Sequence, residues 1–465
     1  FGATGIEALL TASSYLPVTV LATVPPQPLL DTFEPAWADE EETQALVELL
    51  DDDRVVGVGE TDWIHIVGQK PAAGALYDRA SELGKPIAGH GAGCTGRKLD
   101  AFAGVVDNDH EAISGDGIEE RLENGLHVIG RSGSIRNDLD ALATAVDRVG
   151  AADCSLSTDG IWPTELIDDR AMDAVIRGTI EAGVDPIDAI RMATLNPARH
   201  FGLHDRGSIA PGNVADLVLV DDLETMNVTT VVSDGELVVQ HSEPLVAPRT
   251  TEYPEELYDA VHVSIDPKAV EVPADVAAAD GQVRAVEYDH GLLSRATTVE
   301  PPQNEGQLVP SADADIAKAT LWNRRPDCDD VFTGFLTGLG IEQGAIATTV
   351  TWETPGLLAI GTTDEALLEA ARQVVELGGG WVVRRDGEAI SELPMRVGAV
   401  CSDLEVEETA KLYAATGSAC RTIGCTVDRP LLAVQTLTFP GVPTLKFGFT
   451  GYRDVLNRDV LGLTP

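Results

Sequence analysis

The 465 residues carry 76 acidic and 32 basic side chains, a formal net charge of −44. Such a surface repels a phosphate backbone, which excludes nucleic-acid binding through a basic face. An acidic disordered chain is excluded too, because 44% of the residues are hydrophobic and the charge is spread along the sequence. Seven basic residues are lysine (Lys70, Lys85, Lys98, Lys268, Lys318, Lys411 and Lys446), and this acid-rich, lysine-poor composition fits a halophilic cytoplasm, where salt screens the self-repulsion. No run approaches the roughly 18–20 unbroken apolar residues of a membrane span. The six cysteines (Cys94, Cys154, Cys328, Cys401, Cys420 and Cys425) match no usual zinc spacing and read as buried thiols in a reduced compartment. At roughly 100–200 residues per domain, the length predicts two or three domains.

The chain opens in mid-pattern, with Gly2-Ala3-Thr4-Gly5 leading into the helix-like Ile6–Leu10, and reads as a fragment without initiator methionine or signal peptide. From residue 16 to about 205, short apolar runs alternate with helical patterns. The expected strands include Pro17–Ala22, Val55–Gly59, Pro86–Gly89, Leu126–Ile129 and Cys154–Ser157. The expected helices are Glu41–Leu50, Ala72–Leu83, Gly117–Asn124, Asp138–Val149 and Asp169–Ala182. That alternation indicates parallel βα units, in a Rossmann sheet or a TIM-type barrel. The absence of Gly-x-Gly-x-x-Gly at a strand–helix junction weakens the dinucleotide-binding alternative. Beyond residue 205 the texture becomes turn-rich, with a hairpin expected at Thr229–Val232 and Leu237–Val239 around Asp234-Gly235. Residues 243–281 are acidic and proline-containing, and read as a linker. A second mixed region follows from 282, with strands at Gly344–Thr351 and Leu357–Ile360 and helices at Glu365–Leu377 and Glu405–Thr416.

Functional side chains of a parallel barrel project from the C-terminal ends of its strands. The residues closing the expected strands are Glu60, His90, His110 (in Asn108-Asp109-His110-Glu111), Arg131-Ser132 and Asp159. Two imidazoles and two carboxylates at one barrel mouth make a nitrogen/oxygen donor set suited to Zn, Mn or Fe. Such an ion lowers the pKa of water and makes hydroxide available near neutrality. The other histidines show no comparable arrangement, although His65 lies near Glu60.

Gly59-Glu60, Gly89-His90-Gly91-Ala92-Gly93-Cys94-Thr95-Gly96, Asp109-His110-Glu111, the run Arg131–Asn137 and Thr158-Asp159 resemble successive strand ends of the adenine deaminase family of amidohydrolases. Ile190–Leu203 resembles the family's closing barrel helix, and Gly344–Val350 and Phe439–Lys446 resemble its C-terminal half. The resemblance covers nearly the whole chain. It implies an incomplete TIM-like α/β barrel over 1–205, a β module over 206–242, the linker over 243–281 and an α+β domain over 282–465. It further implies that Glu60, His90, His110 and Asp159 hold a divalent metal, manganese first with zinc or iron as alternatives, as a pair in the complete protein. Asp159 and Glu60 would be catalytic, Arg131 and Ser132 would contact a purine, and the product of adenine would be hypoxanthine. A cytoplasmic homo-oligomer acting on a small molecule is expected.

Some positions depart from the family pattern. Its first-strand His-x-His pair is absent, Arg-Glu-Gly-Ser reads Arg131-Ser132-Gly133-Ser134, and Asp-Asp-Arg reads Asp159-Gly160-Ile161. Gly-His-x-Asp reads Arg170-Ala171-Met172-Asp173, and His-Asp-Ser-His-Asn reads Trp352-Glu353-Thr354-Pro355-Gly356. Exchanging hydrogen-bonding groups in a pocket shifts specificity. Another aminopurine, an aminopyrimidine or a cyclic amide, or an inert paralogue, therefore stand as alternatives.

Overall fold

Six parallel strands in sequential order form the first sheet among the described residues: β1 (Ala22–Val24), β2 (Val55–Asp62), β3 (Ile87–His90), β4 (Asn108–Asp109), β5 (His127–Arg131) and β6 (Cys154–Ser157). The computed structural model describes residues 1–30, 33, 37–67, 73–168, 171–247 and 251–465. Parallel neighbours need a crossover, and helices such as Gly74–Leu83, Gly115–Glu123 and Leu139–Val149 supply it. Helix Leu139–Val149 buries Leu139, Leu142 and Ala145, a spacing of three that keeps one face on the sheet. It sits close there because Gly130 has no side chain: a Cβ at that position would come 2.4 Å from Leu142 Cδ2. Each leucine so buried contributes about 2 kcal/mol.

This sequential parallel sheet has the strand order of part of a TIM-like barrel, as the βα alternation predicts. One strand is displaced: Pro17–Ala22 is not a strand, and β1 begins at Ala22. Tyr15, Leu16 and Val18 are exposed, so that apolar run lacks the burial a central strand requires. The expected helix starts Ala72 and Asp169 lie outside the described residues. The hairpin forms as Val228–Ser233 and Glu236–Gln240, with Asp234 and Gly235 both at positive φ, as a two-residue turn requires.

The described residues divide into two compact units, Phe1–Glu252 and Tyr253–Pro465. The second is built on a mixed eight-stranded sheet whose inner strands Ala317–Asn323, Gly356–Gly361 and Ala345–Thr348 are buried throughout. Helix Asp364–Leu377 covers one part of it through Leu367, Ala370, Ala371 and Val374. Within the acidic stretch, Leu257, Ala260, Val270 and Val272 are buried in this unit, and Lys318 Nζ donates to the Val270 carbonyl at 2.9 Å.

At the N-terminal end of β5, His127 stacks on His200 with centroids 4.3 Å apart and shares a 2.6 Å hydrogen bond with Ser155 Oγ. Burial, aided by the neighbouring His200, pushes the His127 pKa down to about 3. The unfolded chain therefore binds the proton first, and stability falls as pH drops from about 6.5 toward 3. At pH 5 the loss is about 2 kcal/mol, from 1.36 kcal/mol per unit. Urea midpoints at pH 7 and pH 5 should differ accordingly, and His127→Gln should flatten that difference.

Candidate metal centre

β2 and β3 run side by side, pairing Asp62 with His90, so the Glu60 and His90 side chains emerge at the same end of the sheet. His110 follows β4 directly, Arg131 closes β5 and Asp159 lies just beyond β6. Ligand atoms of Glu60, His90 and His110 all fall within 4.8 Å of one another. His110 Nε2 is 2.9 Å from Glu60 Oε1, and His90 Nδ1 is 3.8 Å from Glu60 Oε2. The two imidazoles meet edge to face, with centroids 5.3 Å apart.

Burial alone would lower the His110 pKa, but the Glu60 carboxylate outweighs it and raises that pKa. The same contact draws the Glu60 pKa down against the opposing effect of burial. Burial pushes the Asp62 carboxyl up, although His90 pulls the other way. The donor set suits a divalent cation on two grounds. Its Glu60 carboxylate already stabilises positive charge on His110, and both ring nitrogens of His90 are buried without a hydrogen-bond partner. A buried imidazole left unpaired is costly unless something accepts or ligates it.

Asp109 sets the two histidine-bearing loops. Its carboxylate accepts from the Gly91 N–H at 2.9 Å and the Glu111 N–H at 3.1 Å, beside His90 and His110 respectively. Arg121, itself buried, pairs with Asp109 and donates to the Gly91 carbonyl at 2.8 Å. A charge pair this deep is held by several hydrogen bonds, as burial demands.

Asp159 is not among the clustered donors; Arg131 ties it to Glu111, which lies beside both histidines. Arg131 Nη1 donates to Asp159 Oδ2 at 2.9 Å and to Glu111 Oε1 at 2.6 Å, while Nε donates to Asp138 Oδ2 at 3.2 Å. Glu111 also accepts from Arg136 at 2.9 Å and lies 3.7 Å from His110 and 3.9 Å from His90. Although burial opposes it, His90, Arg131, His110 and Arg136 hold the Glu111 pKa down to about 2. Asp159 adopts a positive φ of 49°, a region that aspartate tolerates better than most residues. Ser132 lines a separate cavity of about 280 Å³ with Ile161, Glu165 and Arg177, which none of the four candidate ligands lines. The Trp352–Gly356 loop is knit into the second unit: Thr354 is buried, accepts from Arg453 at 3.0 Å, and Trp352 packs edge to face on Phe439.

Asp62, Glu111, Arg136 and Asp138 were not singled out from the sequence. Asp62 carried a usable signal, two residues after Glu60 and hence on the same face of β2. Glu111 adjoins His110, but its arginine partners are 20 and 25 residues away.

A parallel sheet with acidic and imidazole groups gathered at its C-terminal edge is the arrangement of a metal-binding barrel enzyme. The amidohydrolase family matches residues 1–238, and the adenine deaminase C-terminal domain matches residues 292–459. The adenine deaminase of Halalkalibacterium halodurans is 30% identical over 460 residues, 98% of this chain and 78% of that protein. That of Methanothrix thermoacetophila is 30% identical, covering 98% of this chain and 79% of that protein, and that of Kosmotoga olearia is 29% identical, covering 88% and 71%. The chain belongs to the adenine deaminase family of the amidohydrolases, a family that implies a divalent metal and a small-molecule substrate. No helix among the described residues is long and apolar enough to cross a membrane.

Proposed function

We propose that this chain hydrolyses adenine to hypoxanthine and ammonia, with a divalent ion held by Glu60, His90, His110 and Asp159. The observation that carries this reading is the convergence of Glu60, His90 and His110 in a chain aligned over 98% of its length with adenine deaminases. The family resemblance puts manganese first, and the nitrogen/oxygen donor set without thiolate accommodates zinc or iron equally well. The ion, when bound, supplies the Lewis acidity that makes hydroxide available near neutral pH.

The protein's own groups manage the protons. Asp159 Oδ2 is engaged by Arg131, which leaves Oδ1 to take a proton from the attacking water. The oxygen bonds to the amine-bearing carbon, the carbon–nitrogen bond breaks, and Asp159 returns its proton to the departing amine. One water is consumed and one ammonia released. Glu60 supplies negative charge beside both histidines, and Glu111, fixed by two arginines, keeps the mouth acidic.

The test is ammonia release from adenine by the Mn²⁺-loaded protein in concentrated KCl. Hypoxanthine and ammonia in equal amounts support the reading. Silence with adenine but turnover of another aminopurine, an aminopyrimidine or a cyclic amide would replace the substrate, and silence with all of them would favour an inert paralogue.

We read the charge of −44 as adaptation to a salt-rich cytoplasm, a reading supported by the burial of two of the seven lysines, Lys318 and Lys446. Raising KCl from 0.15 M to 1 M shortens the screening length from about 8 Å to about 3 Å. The Tm should then rise by about 10 °C as self-repulsion is damped. A Tm independent of KCl would refute salt adaptation.

A further inference from the structure

We propose that Arg131 is a positioning residue for Asp159 rather than a contact for the substrate; this rests on the functional reading above, in which Asp159 moves the proton. Arg131 is 3% exposed, and all three guanidinium nitrogens face carboxylates. Nη1 bridges Glu111 and Asp159, while Nε and Nη2 both lie 3.2 Å from Asp138 Oδ2. A planar fork held at three points cannot swing to follow a ligand. Asp159 is the only one of its three partners with substantial exposure, the side chain being 38% accessible against 8% for Glu111 and 7% for Asp138. The buried partners therefore anchor the guanidinium, and the guanidinium fixes one oxygen of the carboxylate that opens to solvent.

The backbone after Arg131 grips the same loop. The Ser132 N–H donates to the Ser157 carbonyl at 3.0 Å, and the Ser134 N–H to the Gly160 carbonyl at 3.1 Å. Between them, a Cβ on Gly133 would come 1.9 Å from the Thr158 carbonyl oxygen and 2.5 Å from that of Gly160. The approach thus requires glycine, and it braces Asp159 in its positive-φ conformation. Residues 131–134 hold Asp159 by its carboxylate and by the backbone on either side.

The test combines kinetics with a structural readout. Arg131→Gln should lower kcat for adenine by about 10²-fold or more with KM within threefold, as expected when a proton-transfer group is misplaced. The double variant Arg131→Gln/Asp159→Asn should be no slower than Asp159→Asn alone, because the two act as one unit. Crystals of the variant should show the Asp159 carboxylate displaced. Arg131→Gln also takes the Arg131 contact from buried Asp138 and leaves Glu111 with Arg136 as its arginine partner, so Arg131→Lys provides a variant that keeps the charge but cannot reach all three carboxylates, and Gly133→Ala disturbs Asp159 without touching any charge. Both should lower kcat and move Asp159. A tenfold rise in KM with kcat preserved, additive losses in the double variant, or an unmoved Asp159 would each overturn the proposal. If the parent chain does not act on adenine, the functional reading fails, while the crystallographic comparison still decides whether Arg131 positions Asp159.

Discussion

Glu60→Gln protein, stripped with chelator and reloaded with Mn²⁺, should release ammonia from adenine at least about 10³-fold more slowly than the parent chain. The substitution is nearly isosteric, and the side chain is 46% exposed, so the fold should survive. What disappears is the negative charge between His90 and His110. A neutral amide oxygen is a poorer ligand for a hard divalent ion, and metal affinity should fall by about 10²-fold. The paired measurement is metal content after dialysis: a variant that keeps both metal and activity removes Glu60 from the site.

Asp159→Asn should be equally damaging for a different reason. Asparagine tolerates the same positive φ and fills the same volume, so Tm should change little. The Arg131 contact can persist through the amide oxygen, but no group remains to accept the proton of water. General acid–base groups contribute about 10²–10⁴-fold, and a loss near 10³-fold in kcat is expected. Metal affinity should drop only about tenfold, because the clustered donors Glu60, His90 and His110 are intact. The two variants are thus separable: one loses metal and rate together, the other loses mainly rate.

The half-barrel was legible where burial and periodicity agree. Cys154–Ser157 and Val55–Gly59 are apolar runs of strand length, and the helix over 139–149 shows its buried face in the spacing of Leu139, Leu142 and Ala145. β4 is only Asn108–Asp109, two polar residues that are fully buried. Hydropathy could not mark it, because Asp109 is stabilised by Arg121 and the Gly91 N–H, which the fold brings near, besides the local Glu111 N–H. Its position was recoverable only from the His110 that follows.

The same distinction governs the site. Strand-end position pointed to Glu60, His90, His110, Arg131 and Asp159, since a strand end has a fixed place in a parallel sheet. What each one touches depends on side chains far away in sequence. Glu111 is anchored by Arg131 and Arg136, and Arg131 by Asp138, none of which forms a motif by itself. Arg131 read as a purine contact from its motif, whereas its environment of three carboxylates supports a different role. In the second unit, Val270 and Val272 lie in a stretch whose acidic residues and prolines read as a linker, and that reading did not mark their burial.

Whether Glu60, His90 and His110 hold a divalent ion can be seen by anomalous diffraction from crystals soaked with Mn²⁺ or Zn²⁺, collected at the metal's absorption edge. A peak is expected within about 2.0–2.2 Å of donor atoms from Glu60, His90 and His110. A fully loaded protein with its metal elsewhere, or with those three side chains unligated, would contradict it.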